Sequence, residues 1–177
     1  KLDNENKLYY KMKKASNFNF GNPIIKHRKI KKDDKIRKIY TVDKETEEYI
    51  IIKFLKKKLD LIFNVKYPNR SEIMPELFSL IKEIERLTNY TVYKFDFKSF
   101  FETIDAKIIW NNHIKDVFFE KYIKDLLERY IDENQYCYQG LALSNVFVEI
   151  AGKYFDRKIK YTFSSDGLIF YARYVDD

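Results

Sequence analysis

The residues of this chain best suited to chemistry are aspartates at the ends of apolar runs. Asp96 sits in Lys94-Phe95-Asp96-Phe97, and Asp176 and Asp177 close the run Phe170-Tyr171-Ala172-Arg173-Tyr174-Val175-Asp176-Asp177. A carboxylate at the end of a buried strand is costly unless something pairs it. If the two strands lie side by side, three carboxylates converge, repel one another and demand cations. Hard divalent ions with oxygen ligands meet that demand, Mg²⁺ first among them, with Mn²⁺ as a substitute. Two such ions ~3.5–4 Å apart can activate an attacking 3′-hydroxyl and stabilise a leaving pyrophosphate. The plainer alternative is that Asp96 caps a turn and that Asp176-Asp177 is a solvated loop. A Tyr-x-Asp-Asp string in a chain this rich in Tyr and Asp is weak by itself.

The elements that must position these residues follow from pattern. Tyr90 to Phe97 is aromatic and β-branched, which predicts a strand, and Leu168 to Tyr174 predicts a second, buried one. Between them, Asp105 is expected to cap a helix running through Trp110 to Val117. A helix is expected over Glu120–Tyr130, and a long amphipathic one from Leu141 to about Lys158, preceded by Gly140. Asp166-Gly167 is a hairpin-turn signal. Ahead of the first strand, Ile24–Tyr40 suggests a basic hairpin bending at Asp33-Asp34. Glu45–Phe63 predicts a helix with Tyr49, Ile52, Leu55, Leu59 and Ile62 on one face. Pro75–Leu87 predicts another, with Pro68–Ser71 as the break. The order is a basic, largely helical front over 1–89, then strand–helix–helix–helix–strand over 90–177, an α+β pattern.

Composition narrows the function classes. The chain has 177 residues, with 34 Lys/Arg against 27 Asp/Glu and a net charge of +7. Residues 1–70 carry 20 Lys/Arg and 9 Asp/Glu, a net +11, and residues 71–177 carry 14 and 18, a net −4. A basic front ahead of an acidic remainder suggests a polyanionic partner; the bland reading is a solvated Lys-rich surface. Only 4 Gly and 3 Pro are present, which argues against a Gly-rich nucleotide loop and a turn-rich sandwich. A single cysteine, Cys137, leaves no internal disulfide framework, and His27 and His113 are far apart in sequence. No apolar run approaches the ~18 residues of a membrane span, and no signal peptide is visible. A cytoplasmic protein with no membrane partner is expected.

In three places the sequence resembles the reverse transcriptases, and the motifs stand in that family's order. Phe95-Asp96-Phe97-Lys98-Ser99-Phe100-Phe101-Glu102-Thr103-Ile104 resembles the first palm motif, with a metal-binding Asp and an aromatic five residues on. Gln139-Gly140-Leu141-Ala142-Leu143-Ser144-Asn145 resembles the second, and Tyr174-Val175-Asp176-Asp177 the third. The resemblance covers about Ile30 to Asp177 and is weakest before Tyr90. It implies a right-hand polymerase, with fingers over 1–89 and a ferredoxin-like palm sheet with packed helices over 90–177. It implies that Asp96, Asp176 and Asp177 bind two Mg²⁺, with the Phe97 carbonyl as a further ligand. Phe101 would be the aromatic gate that leaves no room for a ribose 2′-hydroxyl. Gln139 and Gly140 would approach the incoming nucleotide and the template. Arg37, with Lys35 and Lys38, resembles the cluster that grips the triphosphate. The implied partners are a dNTP and an RNA or DNA template–primer.

The sequence also departs from that pattern. Tyr138 precedes Gln139, and Asn145 follows Ser144, at positions where many relatives have Pro. This is nearer to bacterial enzymes linked to abortive infection and phage defence, some of which are thought to make untemplated or protein-primed DNA. A non-catalytic nucleic-acid-binding module on a palm fold is the alternative of another class. The start without Met and the stop directly after an apolar run lead to the expectation of a fragment. On that expectation the thumb and later palm motifs of the same protein are missing, and the piece is inactive alone.

Overall fold

The structure, a computed structural model, describes residues 7, 10–21, 23–29, 36–86 and 89–175. In the front part, two segments rich in Ile, Lys and Arg, Ile24–Lys29 (β1) and Ile36–Thr41 (β2), form a two-stranded antiparallel sheet. Ile24 stands opposite Thr41, and Lys29 opposite Ile36. The expected bend at Asp33-Asp34 lies outside the described residues.

Helix α1, Glu47–Phe63, starts where Thr46 accepts a hydrogen bond from the Tyr49 N–H at 3.3 Å. Glu47 and Glu48 in its first turn suit the positive end of the helix dipole. It ends at Asn64, whose left-handed backbone (φ 46°) turns the following Val65 N–H back onto the Asp60 carbonyl at 3.0 Å. Ile51, Ile52, Leu55 and Leu59 form its buried stripe, while Ile62, expected on that stripe, is 42% exposed.

Helix α2, Arg70–Ile84, starts five residues ahead of the expected Pro75. Asn69 caps it by accepting from the Ser71 N–H at 3.0 Å, so Pro75 falls inside the helix and removes one ladder donor there. None of its residues is buried.

Two short helices follow, Phe100–Thr103 (α3) and Ala106–Ile109 (α4), the second running on through a π-helical turn, Trp110–Ile114. Asp105 caps α4 as expected, accepting from the N–H groups of Lys107 (2.7 Å) and Ile108 (3.2 Å). In α5, Lys121–Glu133, pairs of apolar residues recur every four positions and are buried: Tyr122-Ile123, Leu126-Leu127 and Tyr130-Ile131. The last helix, α6, is Ala142–Phe163.

The first half of α6 is the centre of the molecule. Leu143, Ser144 and Val146–Ile150 are all buried, because α1 packs on one side and α4 on another. Met12 and Phe20 from the front of the chain complete the same core, so a single core spans the division at residue 89/90. No described helix is long and apolar enough to cross a membrane.

The chain is α+β, and the sheet it shows is the expected front hairpin, while the sheet expected over 90–177 is absent among the described residues. Among the described residues the one sheet is the front hairpin, in the region expected to be largely helical. Tyr90–Phe97 and Leu168–Tyr174, both expected to be strands, pair with no other strand among the described residues. The second is also not buried, with Ile169 63% exposed. Aromatic and β-branched composition reports how well side chains fit a pleated surface, and does not supply a hydrogen-bonding neighbour. Both segments dock on α6 through side chains instead. Likewise Asp166-Gly167 makes a turn, with Gly167 at φ 75°, but it joins α6 to the second segment and closes no hairpin.

Candidate functional site

The segment carrying Asp96 lies along the second half of α6. The Tyr93 ring is 6.2 Å from Phe163, and the Phe97 ring is 5.4 Å from Phe155. Four residues of extended chain cover about 13 Å, which matches the ~12 Å that eight residues of helix span. The segment therefore runs extended and antiparallel to α6. Ser99, in the left-handed region at φ 53°, then turns the chain into α3. Asp96 itself is exposed, and no described residue bonds its carboxylate. Phe97 packs on Phe100 (5.2 Å), and Phe100 meets Phe101 edge-on (5.6 Å). Phe101 is half-buried against the core, so its ring is held from behind.

The second segment lies on the neighbouring stripe of α6 and runs in the same sense. The Leu168 N–H bonds to the Phe163 carbonyl at 3.2 Å. The Tyr171 hydroxyl donates to Asp156 at 2.7 Å. Arg173 donates from Nε to Asp156 at 2.8 Å and from a terminal nitrogen to Glu149 at 2.7 Å. Its other terminal nitrogen donates to the Val175 carbonyl at 2.9 Å. Burial works against the charge of Arg173, but its bonds to Glu149 and Asp156 outweigh that and hold its pKa above the usual value. Val175 has φ 60°, a strained setting for a β-branched residue, one position before Asp176. Asp176 and Asp177 lie outside the described residues. The ends of both segments thus point toward the same end of α6, with Asp96 on one and Val175 on the other.

Gln139 and Gly140 form the corner that leads into α6. The Tyr40 N–H of β2 donates to the Gln139 carbonyl at 2.8 Å, and the Tyr40 and Tyr138 rings stack at 4.4 Å. Gly140 has φ 103°, and a Cβ there would collide with the Tyr40 carbonyl and the Ile39 side chain. Glycine is required both by backbone angle and by the approach of β2. The basic hairpin is therefore docked on the Gln-Gly corner. Arg37 lies in β2 three residues before Tyr40, opposite Arg28 in the register; Lys35 lies outside the described residues. The start of α6 at Ala142 is about 10.5 Å along the helix axis from Glu149.

Among the described residues no group of three or more His, Cys, Asp or Glu could hold a metal ion. The donors nearest that role are the exposed carboxylate of Asp96 and the adjoining Phe97 carbonyl, both hard oxygen ligands of the type Mg²⁺ takes. Cys137 is buried, and burial, with the nearby charge of Asp105, pushes its thiol up to about 12, so it is inert as a nucleophile. His113 stacks on Tyr154 at 4.1 Å, a packing role. A cleft of about 720 Å³ lies between the start of α2 and residues 168–173, lined in part by Asn69, Glu72, Lys160 and Tyr171. Asp96, Phe101 and Gln139 are not in its lining.

The residues that sequence reasoning missed are Arg173, Glu149, Gly152 and Asp156. Their signal is faint but present: acidic residues and the one glycine of α6 share a helical stripe at i, i+3 and i+7, and a lone arginine interrupts an apolar run. Comparison with protein-family models, with curated proteins and with solved structures finds no match.

Proposed function

We propose that this chain is the fingers-and-palm part of a reverse transcriptase-type DNA polymerase, a nucleotidyltransferase that adds dNTPs to a 3′-hydroxyl. The observation that carries the reading is the common direction of the two aspartate-bearing segments along α6, with Asp96 free of any described partner. Its support in the sequence is the three motifs in order. In this reading residues 90–97 and 168–175 are the palm segments that carry the aspartates, and the hairpin docked on Gln139-Gly140 belongs to the fingers.

Asp96, Asp176, Asp177 and the Phe97 carbonyl would hold two Mg²⁺. When bound, those ions lower the pKa of the attacking hydroxyl and neutralise charge on the leaving pyrophosphate. The chain's own residues do the rest. Gln139 and Gly140 border the nucleotide, Arg37 and Lys35 offer cationic partners for its triphosphate, and Phe101, braced by the core, excludes a 2′-hydroxyl by steric contact.

Primer extension by the full-length protein, with and without an RNA or DNA template, tests the reading. Mg²⁺-dependent incorporation that disappears in Asp176→Asn is expected. Incorporation undiminished in that variant would overturn the mechanism, and growth without template would assign the enzyme to untemplated synthesis.

A further inference from the structure

Three tyrosine rings meet at the corner that leads into α6. The chain just before that corner is pinned to residues 104–106: the Ala106 N–H donates to the Gln135 carbonyl at 2.8 Å, and the Cys137 N–H to the Ile104 carbonyl at 2.9 Å. The stretch alternates. Cys137 is buried, while Tyr136 on one side of it is 36% exposed and Tyr138 on the other is half-buried. The Tyr138 ring stacks on Tyr40 of β2 at 4.4 Å and 27°, and Tyr136 meets Tyr138 edge-on at 6.3 Å. None of the three rings is part of the core. Burial and the two neighbouring phenols push Tyr138 above its usual pKa, so it carries no charge at neutral pH.

The charge beside this row has one sign. Strands β1 and β2 contain Lys26, Arg28, Lys29, Arg37 and Lys38 and no Asp or Glu. Their register sets Arg28 opposite Arg37, and like charges directly opposite destabilise a strand pair. A polyanion offsets that repulsion. Lys38 is exposed and stands two residues before Tyr40, on the same face of β2. Uncharged rings next to cations suit an unpaired strand, because every base has a π-face to stack and every phosphate a charge to neutralise. A duplex gains less from the rings, since its bases are already stacked inside it.

We propose that the Tyr40–Tyr138–Tyr136 row, with Lys38 beside it, is a stacking platform for the unpaired bases of a single-stranded nucleic acid. The platform goes beyond the polymerase reading: it needs neither metal nor dNTP, and it serves a polymerase or a binding module alike.

The test reads binding to the full-length protein by fluorescence anisotropy, in EDTA and without dNTP. The probes are labelled oligo(dT) and oligo(U) of about 12 nucleotides, an abasic strand of the same length, and a duplex. Tyr136→Ala and Tyr138→Leu should each weaken oligo(dT) and oligo(U) by about 5- to 150-fold, the range for losing one stacked base, and leave the abasic strand unchanged. Tyr136→Phe keeps the ring and should bind as the wild type does. Lys38→Gln should weaken every strand alike and reduce the salt slope by about 0.7. If Tyr138→Leu does not fold, Tyr136→Ala, at the exposed end of the row, decides alone. Tighter binding of oligo(dT) or of oligo(U) would identify DNA or RNA as the strand, and either supports the platform. Tyrosine variants that bind oligo(dT) and oligo(U) like the wild type would overturn the platform and leave the polymerase reading standing. Equal weakening of the abasic strand would also overturn it, leaving the tyrosines only the role of holding the hairpin, and so would a wild type that prefers the duplex. Base-dependent binding by a protein that incorporates no dNTP would support the platform and overturn the polymerase.

Discussion

The guanidinium of Arg173 occupies the space that a Cβ on Gly152 would take. The two residues are far apart in sequence and belong to different elements, yet each explains the other. Arg173 can reach Glu149 at 2.7 Å and Asp156 at 2.8 Å only because the helix between them has no side chain at position 152. The contact therefore sets the sign of a substitution that helix propensity alone would get wrong.

Gly152→Ala should destabilise the protein by about 1–3 kcal/mol, the cost of overpacking a filled site. At an unobstructed helix position the same change stabilises by about 1 kcal/mol. Urea unfolding of the purified variant decides between the two signs. Arg173→Met should cost about 3–5 kcal/mol, because it leaves the Glu149 carboxylate buried and unpaired. Arg173→Met with Glu149→Leu should recover most of that loss.

Gly140→Ala should lower the unfolding free energy by at least ~1 kcal/mol, since alanine is strained at a positive φ and its Cβ meets the Tyr40 carbonyl. The strain is relieved by moving β2 away from the corner. Limited proteolysis should therefore cut the hairpin faster in this variant than in the wild type, and equal rates would show that the corner does not hold it.

Cys137 should react with a thiol reagent at pH 8 far more slowly in the native protein than in urea. Burial raises its thiol from the ordinary 9.0 to about 12. The folded state thus keeps a proton that the unfolded state loses, so Cys137 contributes stability that is complete below pH 9 and falls as pH rises from about 9 to 12. Cys137→Ala should flatten the alkaline limb of the stability curve in that window.

Asp96→Asn should change stability by less than about 0.5 kcal/mol, the range for an exposed residue without partners. The same variant should lose dNTP incorporation. Phe101→Ala should do the reverse in kind: a half-buried ring packed on the core is lost, so stability falls, and rNTPs gain entry. Unchanged sugar selectivity in Phe101→Ala would remove Phe101 from the gate.

Much of this was open to a reader of the sequence. The period of apolar residues marks α1, α5 and α6, Asp105 marks its own cap, and two Ile- and Lys/Arg-rich runs flanking Asp33-Asp34 mark the hairpin. These depend on contacts within a few residues, which local order encodes. The boundaries of α2 were not legible from Pro75, because the Asn69 cap outweighs a proline whose missing donor lies near the helix start. The two apolar segments read as strands because composition reports a preference for a flat, packed surface. Whether another strand or a helix supplies that surface depends on chain remote in sequence.

For the candidate site the division is similar. Residue type alone singles out Asp96 and the closing aspartates, since hard-cation chemistry needs oxygen donors wherever they sit, and the resemblance of the motifs adds Gln139 and Gly140. Only the tertiary structure decided that Gly140 answers to Tyr40 and that Gly152 answers to Arg173. Both glycines are explained by the close approach of a distant segment, and the exclusion of a Cβ by a distant group leaves no periodic trace in the chain that obeys it.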